Sequence, residues 1–296
     1  MATIVENIQT LQSIKTDIKD AIISKGVSVG NDFRTYAQAI TDLPSGGGGG
    51  TEMEDAFVQR TLSGYYSNDR VSIVGSYAFT SYSTLTSVNF PNCTSIGSGA
   101  FFECSALTSV NFPNCTTVHE CAFISCSALT SVNLPNCSYI GYEAFYHCSA
   151  LTSVNLQNCS YISYYAFGGC KSLSYIYLPN CTTIYGYAFD NCPSLTSVNF
   201  PNCTSVGELA FRDCSALTSV NLPNCSYIYY YAFSGCTNLA QVYLNSVTSV
   251  TIISSNTFSN CPNLTSVYVP SSLVDAFKVA LYWSSLSRNI VAYTEG

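Results

Sequence analysis

Leu85–Ala106 reads LTSVNFPNCTSIGSGAFFECSA, and Leu107 begins the same string again. An Ala-Phe pair marks each copy, at Ala78-Phe79, Ala100-Phe101, Ala122-Phe123, Ala144-Phe145, Ala166-Phe167, Ala188-Phe189, Ala210-Phe211 and Ala232-Phe233, always 22 residues apart. A looser unit follows at Thr257-Phe258 after a three-residue insertion. Within the copy, Leu85, Val88 and Phe90 bracket polar Ser87 and Asn89, and this near-alternation predicts a half-buried strand with Ser and Asn outward. Pro91 cannot donate to a ladder, so Pro-Asn-Cys is expected to end the strand and turn the chain. Each unit is then a coil of two short limbs. A coil of 22 residues cannot bury its own apolar face, so stability must come from stacking on neighbours.

The pattern Leu85-x-x-Val88-x-Phe90-x-x-Cys93 resembles the leucine-rich repeat, with Cys93 at its Asn/Cys position. The second half, with Ile96, Ala100-Phe101 and Cys104, is similar to the BspA-like subclass, known from bacterial surface proteins and some phage proteins. The resemblance spans roughly residues 57–270. It implies a repeat solenoid of short β-strands with terminal caps. For function it implies little, because such solenoids serve adhesion, interaction and purely structural roles.

Outside the repeats the pattern changes. Ile4, Ile8, Leu11, Ile14, Ile18 and Ile22 recur at helical spacing, and Phe33, Tyr36, Ala37, Ile40 and Leu43 suggest a second helix. Residues 1–43 therefore read as a small α-helical module for anchoring or oligomerisation, because so short a segment buries too little surface alone. It resembles short N-terminal modules of phage tail and fibre-like proteins. Residues 44–50, with five consecutive glycines, read as a flexible linker. Residues 51–74 are expected as an N-terminal cap, 75–270 as the solenoid, and 271–296 as a helix–strand cap. In that last cap Ser271 or Ser272 would start a helix carrying Leu273, Val274, Phe277, Leu281 and Trp283, and Ile290–Tyr293 would return as a strand.

The 296 residues carry only 9% charged side chains, against about 25% in an ordinary soluble domain. A net charge of −7 with ten basic residues gives no basic stripe for phosphates, so no nucleic-acid partner is expected. Mean hydropathy is +0.21, yet no run of about 18 apolar residues occurs, so no membrane span is expected.

Sixteen cysteines raise the question of disulfides. From Cys93 to Cys236 one recurs every 11 residues, which makes two columns on different sides of the coil, with Cys121 off the grid. Stacked columns read best as small buried hydrophobes. Without a Cys-x-x-Cys pair, and with ligands spread along the stack, neither metal nor cofactor is expected. His119 and His147 have no catalytic partners in a recognisable order, and Glu120 and Glu143 lie on an open face, so no catalytic residue is assigned. The recurring Asn-Cys-Ser/Thr, from Asn92 to Asn224, matches a glycosylation acceptor but reads as a by-product of the turn.

Two surfaces remain as candidate sites. On the strand face Ser/Asn pairs recur, interrupted by Tyr175 and Tyr177 and followed by Tyr243 and Tyr268. The second surface flanks Ala-Phe, where otherwise near-identical units differ. Tyr142, Tyr164, Tyr165, Tyr185, Tyr187, Tyr229, Tyr230 and Tyr231 fall there, mixed with Ser and Gly, a composition that suits recognition because Tyr offers contact area at low entropy cost. These eight are expected to form an exposed ridge, with Tyr177 and Tyr243 as further contacts on the strand face.

The sequence therefore predicts non-enzymatic recognition of a protein or glycan on a cell surface, within a phage virion or similar assembly joined through residues 1–43. The expected location is a virion, or extracellular without a signal peptide, with the cytoplasm as alternative. The alternative functions are a bacterial surface or secreted adhesin, or a structural decoration protein with no external ligand.

Overall fold

The computed structural model describes residues 63–294, so the expectations for residues 1–43, the linker 44–50 and the start of the cap lie outside the described residues. From Ser63 onward the chain is a stack of coils in which every strand pairing is parallel. The first limb of successive coils supplies a five-stranded sheet, from Gly64–Ser67 to Ser153–Asn155, and a six-stranded one, from Tyr175–Tyr177 through Ser266–Val269 to Ile290–Ala292. The second limbs form one nine-stranded sheet from Ile73–Val74 to Ile252–Ile253. Through the regular coils each step pairs a residue with its equivalent 22 positions on, as in Ser109 with Ser131 and Val110 with Val132, and the step lengthens to 25 across the late insertion, as in Tyr227 with Ile252. A one-residue slip would turn Val and Leu outward, so the alternation fixes the register.

The first-limb ladder breaks between Ser153–Asn155 and Tyr175–Tyr177. There Ser174 N–H lies 3.4 Å from Thr152 O, against 2.9 Å for the step before, at the point where Tyr replaces Ser and Asn.

Inside the coil the Phe of each Ala-Phe pair lies on the next. From Phe79 to Phe101 the ring centroids are 4.9 Å apart with nearly parallel planes, and the stack runs unbroken to Phe233 and Phe258 at 5.6 Å. Leu107, Val110, Phe112, Val118 and their equivalents complete a core that is essentially closed to solvent. At the far end Trp283 covers the stack, 5.9 Å from Phe258 and 5.3 Å from Phe277, and donates its indole N–H to Thr251 O at 2.6 Å. This terminal cover is more broken than the sequence suggested. Its helix is only Val274–Val279, between 3-10 turns at Ser271–Leu273 and Trp283–Asn289, and no serine side chain caps it. Leu281 falls beyond the helix and is exposed, whereas Ile290–Ala292 does return as a strand.

The thiols sit inside both turns. Those following Phe donate to the Phe carbonyl of the preceding coil, as Cys126 Sγ to Phe101 O at 3.1 Å, and those ending the first limb donate two residues ahead, as Cys137 Sγ to Tyr139 O at 3.2 Å. All sixteen are free, and only Cys121 and Cys261 are partly exposed. The turn asparagines have a use that the sequence did not suggest. Asn114, Asn136, Asn202 and Asn224 each donate a side-chain amide to a proline carbonyl one coil back, at 2.7–2.9 Å. Asn at this place staples coil to coil, because an amide can reach a carbonyl that the turn leaves open.

Candidate functional site: a tyrosine-bearing edge

Two residues per coil adopt left-handed backbone where the chain bends around the inward Ala-Phe. One is the residue before Ala, at Tyr77, Gly99, Cys121, Glu143, Tyr165, Tyr187, Leu209 and Tyr231; the other stands two after Phe, as at Glu103, Ser125, His147 and Asp213. Apart from Gly99, none of the residues before Ala is buried, although the Phe that follows is. This geometry is repeated by the backbone while its side chains change from coil to coil, and a variable outer edge results.

Of the expected ridge, Tyr142, Tyr164, Tyr229, Tyr230 and Tyr231 are exposed. Tyr165, Tyr185 and Tyr187 are half-buried instead, because they lie against other rings. Tyr165 stacks on Tyr187 at 4.4 Å and meets Tyr142 and Tyr146 edge-on. Tyr185 is wedged between Tyr161 at 4.7 Å and Tyr164 at 5.2 Å. Tyr229 rests on Tyr227 at 4.4 Å, and the Tyr231 hydroxyl accepts a 2.8 Å bond from Asn256. The edge therefore holds separate groups of rings rather than one continuous ridge.

Tyr177 and Tyr243 are on the first-limb face, apart from this edge. Tyr177 pairs in register with Asn199, and Tyr243 with Asn221 on one side and Tyr268 on the other. Two asparagine strands thus separate them, and only Tyr243 has a ring partner among the described residues, Tyr268 at 4.7 Å. Amides bridge much of the same face, as Asn111 to Asn89 at 2.7 Å and Asn221 to Asn199 at 2.8 Å.

Several residues of the edge escaped the sequence reading. Tyr139, Tyr161 and Tyr227 precede the inward Ile of the second limb, so alternation alone turns them toward the ring groups. Arg212 reaches back one coil to Asp190 through two 2.7 Å bonds and lies over Tyr187 at 5.6 Å. Between Tyr164 and Tyr185 on one side and Tyr229 on the other, Gly186 and Gly207 leave a shallow cleft of about 430 Å³, with Glu208 at its rim. Glycine is required at position 207. A Cβ on Gly207 would come within 2.5 Å of the Gly186 nitrogen, so the two backbones touch.

Two phenols of this edge, Tyr142 and Tyr161, are held neutral across the physiological range. A hydrogen bond to the Glu143 carboxylate pushes Tyr142 up to about 12, and partial burial, helped by Tyr185, does the same for Tyr161. Of the acids singled out from sequence, Glu120 accepts a 2.8 Å bond from Ser98 and its carboxyl is lowered, first by its own backbone N–H. Glu143 faces the Cys121 thiol at 3.9 Å. His147 is exposed against Tyr146, and His119 is half-buried. Among the described residues no group of three or more His, Cys, Asp or Glu side chains could hold a metal ion, and no helix is long and apolar enough to cross a membrane.

Fold and edge together define a leucine-rich repeat solenoid with a uniformly apolar interior and a variable rim. The chain belongs to the BspA type leucine rich repeat family, whose pattern matches residues 53–174 and 160–287. Solved structures of similar fold include a leucine rich cell surface protein from Faecalibacterium prausnitzii, 22% identical over 73% of this chain and 81% of that one, with a TM-score of 0.35. A leucine-rich repeat protein from Bacteroides ovatus is 20% identical over 78% and 92% of the two chains, with a TM-score of 0.33. One from Eubacterium ventriosum is 17% identical over 73% and 82%, with a TM-score of 0.43. Comparison with curated proteins gives no match.

Proposed function

We infer that this chain is a non-catalytic recognition protein whose tyrosine-bearing edge binds a protein or glycan on a cell surface. One observation carries the reading: on a backbone repeated coil after coil, the side chains that differ cluster along one edge, and Tyr is the commonest of them, with Gly, Glu and Ser between. Tyr164, Tyr229 and Tyr230 offer amphipathic area at low entropic cost, and the stacked core beneath holds them in place, so little ordering is needed on binding. Residues 1–43 would join the solenoid to copies of itself or to a larger assembly such as a virion.

The test is binding of the full chain to intact cells and to a glycan array, compared with a Tyr164→Ala, Tyr187→Ala, Tyr230→Ala triple variant. Loss of binding by about tenfold or more is expected, since buried aromatic anchors dominate such interfaces. Unchanged binding would remove the edge as the site. A second platform is favoured by one specific contact, the Tyr243–Tyr268 stack with Gln241 bonded to the Tyr243 hydroxyl at 3.0 Å. Binding lost in Tyr243→Ala and kept in the triple variant would move the site to the strand face.

A further inference from the structure

The geometry points to the cleft over Gly186 and Gly207 as a receptor for a cationic side chain, lysine or arginine, presented by a protein ligand. The inference rests on the reading of this edge as a recognition surface and specifies what one part of it takes.

Its template lies on the same edge. The Asp190 carboxylate and the Tyr187 ring together hold the Arg212 guanidinium, by two 2.7 Å hydrogen bonds and a 5.6 Å approach to the ring centroid. On the same edge Glu208, Tyr164, Tyr185 and Tyr229 line the 430 Å³ cleft. This is again carboxylate plus tyrosine faces, but Glu208 has no ion-pair partner among the described residues. Gly186 lets the ring and the acid approach each other. A Cβ placed there would come within 3.0 Å of Tyr164 Cε1 and 3.1 Å of Glu208 Cγ, so ring and acid flank the missing side chain from opposite sides.

The chemistry selects the charge sign. Tyrosine faces carry the negative part of the ring quadrupole and attract ammonium or guanidinium groups. A carboxylate beside them adds a charged hydrogen-bond acceptor. The walls are braced, Tyr185 by Tyr161 at 4.7 Å and Tyr229 by Tyr227 at 4.4 Å, so the cleft is formed before anything enters. An anionic ligand would meet Glu208 with no basic residue in the lining to answer it.

The experiment titrates the full chain, carrying ¹³C-labelled tyrosine rings, with N-acetyl-L-arginine amide and, separately, with neutral N-acetyl-L-glutamine amide. The arginine probe is expected to shift the ring signals of Tyr164, Tyr185 and Tyr229 and to leave that of Tyr65 in place. Glu208→Gln, whose fold is checked by circular dichroism, should weaken the arginine probe by about tenfold, the loss of one charged hydrogen bond. Raising salt from about 0.05 M to 0.5 M should weaken it too. Equal shifts from the neutral probe, or unchanged affinity in Glu208→Gln, would overturn the inference. The two readings fail separately. Cell binding lost in the tyrosine triple variant but kept in Glu208→Gln removes the cationic cleft and leaves the recognition surface. Arginine probe held by a chain that binds no cell and no glycan removes the cell-surface reading and leaves the cleft.

Discussion

Arg212 reaches across one coil to Asp190 and closes two 2.7 Å hydrogen bonds on a carboxylate whose side chain is only 12% exposed. Burial pushes the Asp190 carboxyl up, more than the two bonds from Arg212 pull it down, so the acid depends on its partner to remain ionised. Arg212→Met should therefore cost about 1–3 kcal/mol at pH 7, where the abandoned carboxylate is charged. A raised carboxyl is a burden on the fold only above its titration. As pH falls the acid becomes neutral in both proteins, and the cost of the substitution should shrink. Urea unfolding at pH 7 and pH 4 measures this; a cost that grows in acid would contradict the assignment.

The phenylalanine stack predicts a gradient along the solenoid. Phe145 is fully buried between Phe123 and Phe167, at 5.0 and 5.2 Å, and Phe145→Ala should cost about 3–5 kcal/mol because neighbouring coils cannot collapse into the gap. Phe258 is half-buried, and its alanine variant should cost less than half as much. Paired denaturation curves decide the order.

The buried thiols predict collapse in alkali. Burial pushes Cys93 up to about 11 and Cys104, Cys159, Cys181 and Cys192 up to about 12, and moves Cys126, Cys148 and Cys170 the same way. An unfolded thiol ionises near 8.5, so stability is complete below that pH and is lost as pH rises toward the folded values. Each such thiol removes up to about 1.4 kcal/mol per pH unit, and together they should unfold the stack cooperatively above about pH 9 in reducing buffer. Circular dichroism against pH tests it. Below pH 8, alkylation of the native protein should be slow everywhere, with Cys121 modified before the buried fourteen.

The left-handed positions predict opposite outcomes for two glycine exchanges. Ser125 has φ of 58°, a region that disfavours side chains, and Ser125→Gly should stabilise by about 1 kcal/mol. Gly169 holds the same place two coils on, with φ of 71°, and a Cβ there would meet the His147 ring within 2.6 Å. Gly169→Ala should destabilise by a similar amount. Melting temperatures of the two variants should move in opposite directions.

The sequence by itself determined the solenoid. Leu85, Val88 and Phe90 alternating with polar residues, repeated every 22 positions, leave no other way to bury apolar faces than parallel stacking, and the same arithmetic placed the two cysteine columns inside the turns. It also placed variation at the residues around Ala-Phe. What it could not decide was which of those tyrosines touch, since spacing along the chain fixes the coil and the side but not the rotamer. Tertiary structure set Tyr165 on Tyr187 and wedged Tyr185 between Tyr161 and Tyr164, so three rings expected on the surface became half-buried. It also gave the turn asparagines their partners one coil back, and opened a cleft where Gly186 and Gly207 come into contact. The interior is dictated by a periodicity local to the chain, whereas the rim depends on side chains from different coils meeting at distances that only the stacked backbone fixes.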